Sequence, residues 1–103
     1  MPEWKSLAPV EEIPVGSGRE FTVGDRIVAL FRIGAGDEFR AVDGICLHAG
    51  GPIAEGQLTG CVVTCPWHGW QYDVRTGQHC LTPRLKLDSF PVRVVDGRVE
   101  IEI

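Results

Sequence analysis

The sequence lacks the features that would place the protein in a membrane or on a nucleic acid. It has no long apolar run, so no membrane-spanning helix is expected. Its N-terminal stretch, MPEWKSLAPVEEIP, is acidic and has neither the basic nor the apolar region of a signal peptide, which predicts a cytoplasmic location. The formal net charge is −4 and there is no basic cluster, which argues against nucleic-acid binding.

The sequence also lacks a convincing amphipathic helix, internal repeats and low-complexity segments. Short apolar or alternating stretches between glycine-containing turns predict an all-β fold instead. The expected strands cover residues 4–10, 20–23, 26–33, 38–43, 61–64 and 70–73, followed by a C-terminal hairpin. Asp96-Gly97 is a strong two-residue signal for the turn of that hairpin, and Val99, Ile101 and Ile103 share one face of its second strand. The length of 103 residues suits one domain.

Metal-capable side chains are concentrated in Cys46–Asp73, which reads CLHAGGPIAEGQLTGCVVTCPWHGWQYD. Cys46 and His48 form Cys-x-His, and Cys65 and His68 form Cys-x-x-His. A binuclear iron–sulfur cluster needs two protein ligands on each iron, and two thiolates on one iron with two imidazoles on the other give an asymmetric centre. Two loops that each offer one Cys and one His meet that requirement from opposite sides.

Glycine and proline accompany both pairs. Gly50-Gly51 follows the first pair and Gly69 the second. Residues without a side chain let the backbone approach closely and take up positive φ, so amide N–H groups are expected to face the cluster sulfurs. Pro52 and Pro66 are expected to stiffen the two loop tips.

Two other interpretations of the four residues remain open from the pattern alone. A single cysteine is usually a small buried hydrophobe, and a single histidine is usually solvated or hydrogen-bonded. A structural zinc site also takes two Cys and two His, but usually as a Cys pair followed by a His pair, whereas the two ligand types alternate here. The corresponding alternative function is a zinc-stabilised interaction module without redox activity.

Together these residues resemble the signature of the Rieske iron–sulfur family, in which Cys-x-His is followed by a spacer of this size and Cys-x-x-His, and HGWQYD continues the pattern. The resemblance implies a Rieske-type [2Fe-2S] cluster with Cys46 and Cys65 on one iron and His48 and His68 on the other. It implies an antiparallel β base domain, roughly residues 1–43 and 86–103, with a two-loop cluster-binding insert, roughly residues 44–85. Residues 1–103 would form one folding unit.

Two departures separate the chain from the high-potential branch of that family, found in respiratory and photosynthetic cytochrome complexes. That branch adds one cysteine to each ligand loop, where this chain has Gly51 and Trp67, and places a serine hydroxyl against a bridging sulfide, where this chain has Trp70. Tyr72 matches a family tyrosine that hydrogen-bonds a ligand cysteine sulfur. Because donors to sulfur stabilise the reduced cluster, losing one of two donors predicts a potential low in the Rieske range of about −150 to +300 mV.

The resemblance further implies a soluble one-electron carrier. The family's oxygenases need a second, mononuclear iron held by two His and a carboxylate, whereas this chain has 3 His, of which His79 alone is uncommitted. The protein would therefore not be an enzyme itself. It would pass electrons from an NAD(P)H-dependent flavin reductase to a terminal aromatic-ring oxygenase, and would be monomeric when free. The alternative within redox chemistry is the small Rieske-like subunit of an assimilatory nitrite reductase.

The tip of the two ligand loops is the expected docking site, because the imidazole-bound iron of the family lies near the surface. This tip comprises His48, Gly50, Pro52, Trp67 and His68. Trp67 would either contact the partner or shield the cluster from water.

Three residues of interest remain outside the ligand set. Cys61 opens the apolar run CVVT and is expected to be a buried strand residue, whereas Cys80 follows a turn and has no assigned role. A disulfide between them is disfavoured in the cytoplasm but not ruled out. His79 is expected to be an exposed turn residue.

Overall fold

Ten β-strands and two short 3₁₀ helices make up the regular structure of the residues described, and no α-helix occurs among them. The computed structural model describes residues 2–34, 38–47, 50–67 and 69–103. In chain order the strands are β1 (Trp4–Pro9), β2 (Gly18–Val23), β3 (Arg26–Arg32), β4 (Phe39–Asp43), β5 (Gln57–Thr59), β6 (Val62–Thr64), β7 (Gln71–Asp73), β8 (Ser89–Phe90), β9 (Val92–Val95) and β10 (Arg98–Glu102). The 3₁₀ helices are Val10–Glu12 and Ile53–Glu55. The predicted all-β fold is confirmed, and no described helix has the length and apolar character needed to cross a membrane.

The strands form three antiparallel sheets. The terminal sheet has the order β1-β10-β9, the central sheet β2-β3-β4-β8, and the third sheet β5-β6-β7. The chain leaves the central sheet after β4 and returns to it at β8, where Ala41 pairs with Phe90. The third sheet, Cys46 and Cys65 therefore lie in the segment between β4 and β8.

Strand β3 is buried on both faces because it lies between two hydrophobic cores. Val28 and Leu30 belong to one core and Ala29 and Phe31 to the other. The first, the terminal core, consists of Ile13, Val28, Leu30, Phe39, Ala41, Val99 and Ile101. The second, the loop-side core, consists of Ala29, Phe31, Ile33, Val42, Cys46, Ile53, Ala54, Val63, Cys65, Tyr72, Val74 and Leu87. Because β3 is covered on both faces, its sequence is a nearly continuous apolar run rather than an alternating one.

The C-terminal hairpin is confirmed in detail. Val95 pairs with Arg98, and the two residues between them both have positive φ, 51° at Asp96 and 76° at Gly97. Those angles match the type I′ turn that suits the twist of a hairpin. Strand β10 then pairs with β1, so the two ends of the chain share one sheet.

Two local expectations differ from the structure. Strand β5 has no clear signal in the sequence, because Leu58 is the only apolar side chain among its three residues. Cys61 was expected in a buried strand, but it lies in the turn between β5 and β6 and is only partly buried. The glycine at position 60, with a φ of 60°, starts that turn and delays the strand to Val62. The connection between the expected strands at 26–33 and 38–43 lies mostly outside the described residues.

Candidate metal centre

The first ligand loop follows β4 and is closed by backbone hydrogen bonds. The Cys46 N–H donates to the Gly51 carbonyl at 2.9 Å, and the Gly50 N–H donates to the Cys46 carbonyl at 3.0 Å. Gly50 has a φ of 73°, in the left-handed region that a residue without a side chain adopts readily. An isolated bridge between Ile45 and Pro52 joins the two arms of the loop. The positive φ expected of the loop glycines is present at Gly50, but its N–H bonds the Cys46 carbonyl and not a sulfur.

The second ligand loop connects β6 to β7 as the end of a hairpin. Thr64 pairs with Gln71, and the Cys65 N–H donates to the Trp70 carbonyl at 2.7 Å. Gly69 has a φ of 76°, so this loop also uses a glycine to turn. Both predicted thiol ligands point into the protein, since Cys46 is 2% exposed and Cys65 is 1% exposed.

The two loops touch at Gly51. A methyl group on this residue would lie 2.9 Å from Cys65 Sγ and 3.0 Å from Trp67 Cγ, tighter than ordinary carbon contacts allow. Gly51 and Trp67 are also the positions at which the high-potential branch is expected to carry its two extra cysteines. In this chain the loops are joined there by close packing between a glycine and a tryptophan.

The Cys46 and Cys65 thiols lie near enough to influence each other, and a hydrogen-bonding group faces each of them. The Tyr72 hydroxyl is 3.3 Å from Cys46 Sγ, and the Trp67 backbone N–H donates to Cys65 Sγ at 3.4 Å. The tyrosine contact is the one that the family resemblance implied. The amide contact is of the kind expected from the loop glycines.

Burial controls the protonation of these groups. Burial raises the pKa of the Tyr72 hydroxyl, and its hydrogen bond to Cys46 raises that pKa further, so Tyr72 stays an O–H donor at neutral pH. Burial also raises the pKa of the Cys65 thiol, and the Trp67 N–H opposes that effect. A bound metal ion deprotonates such a thiol outright, because its positive charge reverses the balance.

The structure places the sulfur half of the predicted ligand set. His48 and His68 lie outside the described residues, so nothing about their geometry bears on the assignment. Two adjacent buried sulfurs with a hydrogen-bond donor on each fit the thiolate side of an iron–sulfur cluster, whose potential depends on such donors. Among the residues that the structure describes, no group of three or more His, Cys, Asp and Glu side chains is arranged to hold a metal.

His79 does not have the predicted environment. It was expected to be an exposed turn residue, but it is buried, pairs with Tyr72 through an isolated antiparallel bridge, and stacks edge-on against Trp70 and Tyr72. The sequence offered a weak signal for this, because His79 follows the turn after β7 at a distance that allows the chain to fold back onto that strand. Its neighbour Cys80 is exposed, and Cys61 and Cys80 are both free thiols.

Comparison with known proteins identifies the family to which this site belongs. The family model of the Rieske [2Fe-2S] domain matches residues 3–91. The anthranilate 1,2-dioxygenase ferredoxin subunit of Burkholderia cepacia is 32% identical over 102 residues, covering 98% of this chain and 93% of that protein. The chain belongs to the Rieske [2Fe-2S] domain family, and its cofactor is a Rieske-type [2Fe-2S] cluster. The zinc alternative is not supported.

Solved structures agree with this family. A chain in the complex of reduced oxygenase and oxidized ferredoxin in carbazole 1,9a-dioxygenase is 32% identical, with a TM-score of 0.85 and coverage of 95% of this chain and 91% of that one. An NADH-dependent nitrite reductase small subunit from Mycobacterium tuberculosis has a TM-score of 0.90, with 22% identity and coverage of 100% and 96%, and shows the shared fold alone. The protein is an electron carrier of the ferredoxin type and not a catalytic subunit.

Proposed function

We propose that this chain carries single electrons from an NAD(P)H-dependent flavin reductase to a terminal aromatic-ring oxygenase. The observation that carries the proposal is the pair of adjacent buried thiols, Cys46 and Cys65, each in contact with a hydrogen-bonding group. When bound, the cluster supplies one-electron redox chemistry. The relatives at 32% identity belong to anthranilate and carbazole dioxygenase systems, which favours an oxygenase as the acceptor.

The ligand set of this proposal is Cys46 and Cys65 on one iron, and His48 and His68 on the other. The positions of the two sulfurs support the first half. The second half rests on the spacing of the sequence and on the family match, which covers both histidines.

The chain's own residues control how strongly negative charge on the ligand sulfurs is stabilised. The Tyr72 hydroxyl shares a hydrogen bond with Cys46, which it would donate to a thiolate, and the Trp67 amide donates to Cys65. At the position of the serine donor of the high-potential branch, Trp70 provides a partly buried ring that packs against the loop-side core and His79. Tryptophan has no hydroxyl to donate at this position, which supports the prediction of a low potential.

We place the docking face on the half-exposed apolar residues of the two ligand loops, Ile45, Leu47 and Trp67. Glu55 is the only Asp, Glu, Lys or Arg between positions 44 and 72, so the ligand loops themselves carry no formal charge. Apolar side chains grouped beside a redox centre favour contact by hydrophobic burial. The predicted tip residues Gly50 and Pro52 lie in the same first loop.

Three further features belong to this proposal. The chain folds as one unit with its base at 1–43 and 86–103 and its insert at 44–85, which is supported by the pairing of β1 with β10 and by the confinement of the third sheet to residues 57–73. It works in the cytoplasm, and it is monomeric when free. A single cooperative unfolding transition and a monomer mass by light scattering are the expected results.

A redox titration followed by EPR tests the proposed function. We expect a one-electron Rieske-type signal with a midpoint in the lower part of the range of about −150 to +300 mV. A midpoint well above about +100 mV contradicts the account of sulfur donors. Stopped-flow mixing with a flavin reductase, and then with an oxygenase, should show reduction and reoxidation by separate soluble partners. Failure to exchange electrons with any separate reductase favours a fixed reductase subunit, as in the nitrite reductase alternative.

The docking face is tested with Trp67→Ala. Trp67 is 50% exposed, and Val15, at 53% exposed and outside the ligand loops, provides a matched control in Val15→Ala. We expect Trp67→Ala to slow electron transfer to the oxygenase while Val15→Ala leaves the rate unchanged. Cluster lifetime in air is measured separately, because an unchanged transfer rate with a shorter lifetime would assign Trp67 to shielding the cluster instead.

A further inference from the structure

His79 lies outside the two ligand loops, but its side chain contacts Tyr72, whose hydroxyl is hydrogen-bonded to Cys46. His79 is 7% exposed, and its backbone N–H donates to the Leu85 carbonyl at 2.9 Å. Its backbone bridge to Tyr72 places the two side chains on the same face of neighbouring strands. Sequence spacing alone gave it no role.

The imidazole is clamped by backbone donors. Its Nδ1 accepts the N–H groups of Leu81 and Thr82, each at 3.1 Å. Because backbone N–H groups only donate, Nδ1 carries no hydrogen in this arrangement and the ring proton is on Nε2. The two hydrogen bonds fix the plane of the ring relative to the turn at residues 79–82.

The imidazole ring packs against two aromatic side chains, that of Trp70 just before β7 and that of Tyr72 within it. Its centroid is 4.7 Å from that of Trp70 and 5.5 Å from that of Tyr72, and both interplanar angles are 85°. These are the edge-to-face arrangements that aromatic rings prefer. Tyr72 is fully buried, so its ring position is set by such neighbours, and its hydroxyl is 3.3 Å from Cys46 Sγ.

We propose that His79 is a positioning residue that holds the Tyr72 ring so that its hydroxyl reaches the Cys46 sulfur, and that it thereby raises the midpoint potential of the cluster. The proposal rests on the proposed role of Cys46 as an iron ligand. A hydrogen bond to sulfur weakens when its donor moves or tilts. Loss of a donor destabilises the more negative, reduced state and lowers the potential.

Two substitutions separate the effect of the hydrogen bonds to Nδ1 from the effect of the aromatic ring. His79→Asn keeps an acceptor near the position of Nδ1 but removes the ring, whereas His79→Phe keeps a ring but removes the acceptor. We expect His79→Asn to lower the midpoint and alter the EPR line shape while the Leu81 and Thr82 amides remain protected from hydrogen exchange. We expect His79→Phe to keep the midpoint close to the unsubstituted value while those two amides exchange faster.

Double substitution with Tyr72→Phe gives the decisive comparison. Tyr72→Phe alone should lower the midpoint, and His79→Asn should cause no further shift in that background, because the hydroxyl through which it acts is absent. An equal shift from His79→Asn in both backgrounds, or no shift in either, overturns the proposal. So does a shift from His79→Phe as large as that from His79→Asn.

Failure of the positioning role can be distinguished from failure of the proposed function. If the unsubstituted protein gives no Rieske EPR signal, the ligand assignment and function fail together. If it gives the signal and exchanges electrons while His79→Asn leaves the midpoint unchanged, only the positioning role fails. Should His79→Asn not fold, His79→Phe is measured in the protein with Tyr72 and in the Tyr72→Phe variant. If His79→Phe lowers the midpoint only when Tyr72 is present, a ring at position 79 is not enough to hold the hydroxyl in place, and the proposal is contradicted.

Discussion

At the scale of single residues, burial separates the two cysteines proposed as cluster ligands from the other two. Cys46 and Cys65 are buried beside each other, whereas Cys61 is partly buried and Cys80 is exposed. All four have the same chemistry in isolation. Their spacing relative to His48 and His68 predicted the division, and the structure shows the physical difference between the two sets of thiols.

Cys65→Ala should abolish the Rieske EPR signal, because one iron would lose one of its two thiolate ligands. Cys80→Ala is the matched control and should retain both the signal and the iron content of the unsubstituted protein. Iron and labile sulfide are measured beside EPR on protein purified under nitrogen. A full Rieske signal from Cys65→Ala would contradict the ligand assignment.

A side chain at position 51 is expected to disturb the packing around Cys65. Gly51→Ala places a methyl group against Cys65 Sγ and Trp67, so we expect an altered EPR line shape, faster cluster loss and destabilisation of about 1–3 kcal/mol. Gly18→Ala is the comparison, since its methyl group would clash with the Phe31 ring instead of a ligand sulfur. Gly18→Ala should lower the unfolding temperature while its EPR line shape stays unchanged. Identical EPR spectra for the two variants would show that Gly51 has no particular relation to the cluster.

At the scale of elements, prediction succeeded where turn chemistry and side-chain alternation agree. The hairpin around Asp96-Gly97 has both signals, and its angles and pairing are those expected. Strand β5 has neither signal. It exists because β6 offers it a pairing edge and because Leu58 packs against the loop-side core. Pairing of this kind depends on the partner strand, which a short local sequence does not encode.

Gly97→Ala should destabilise the C-terminal hairpin. The φ of 76° at this position lies in the left-handed region, where a side chain costs about 1–2 kcal/mol. We expect a loss of that size in the free energy of unfolding measured by urea titration, with an unchanged EPR signal. Asp96→Asn is the control in the same turn, because asparagine tolerates positive φ. Equal stability of the two variants would mean that the turn relaxes to another type.

At the scale of the whole molecule, the central sheet separates two cores with different relations to the cluster. The loop-side core contains Cys46 and Cys65, whereas the terminal core contains the buried face of β10. Strand β3 contributes to both through its alternating side chains. Defects in the terminal core should therefore weaken the fold without changing the surroundings of the ligand sulfurs.

The same substitution in each core tests that separation. Ile101 and Ile53 are both fully buried, in the terminal core and the loop-side core respectively. Ile101→Val and Ile53→Val should each cost about 0.5–1.5 kcal/mol of stability. We expect Ile53→Val alone to accelerate cluster loss below the unfolding transition, followed by the decay of visible absorbance. Equal rates of cluster loss in the two variants would show that the cores act as one.

The sequence by itself determined the all-β class, the C-terminal hairpin and the family, because these depend on local patterns: alternation, turn dipeptides and two short ligand spacings. The tertiary structure alone decided which distant groups meet. It set the approach of Gly51 to Cys65, the contact of Tyr72 with Cys46 and the burial of His79 between Trp70 and the turn that clamps it. The tyrosine contact was anticipated only by family resemblance, and the environment of His79 was predicted wrongly. The physical reason is that such contacts depend on how separate strands pair and pack, whereas a spacing along the chain records only the neighbours of each residue.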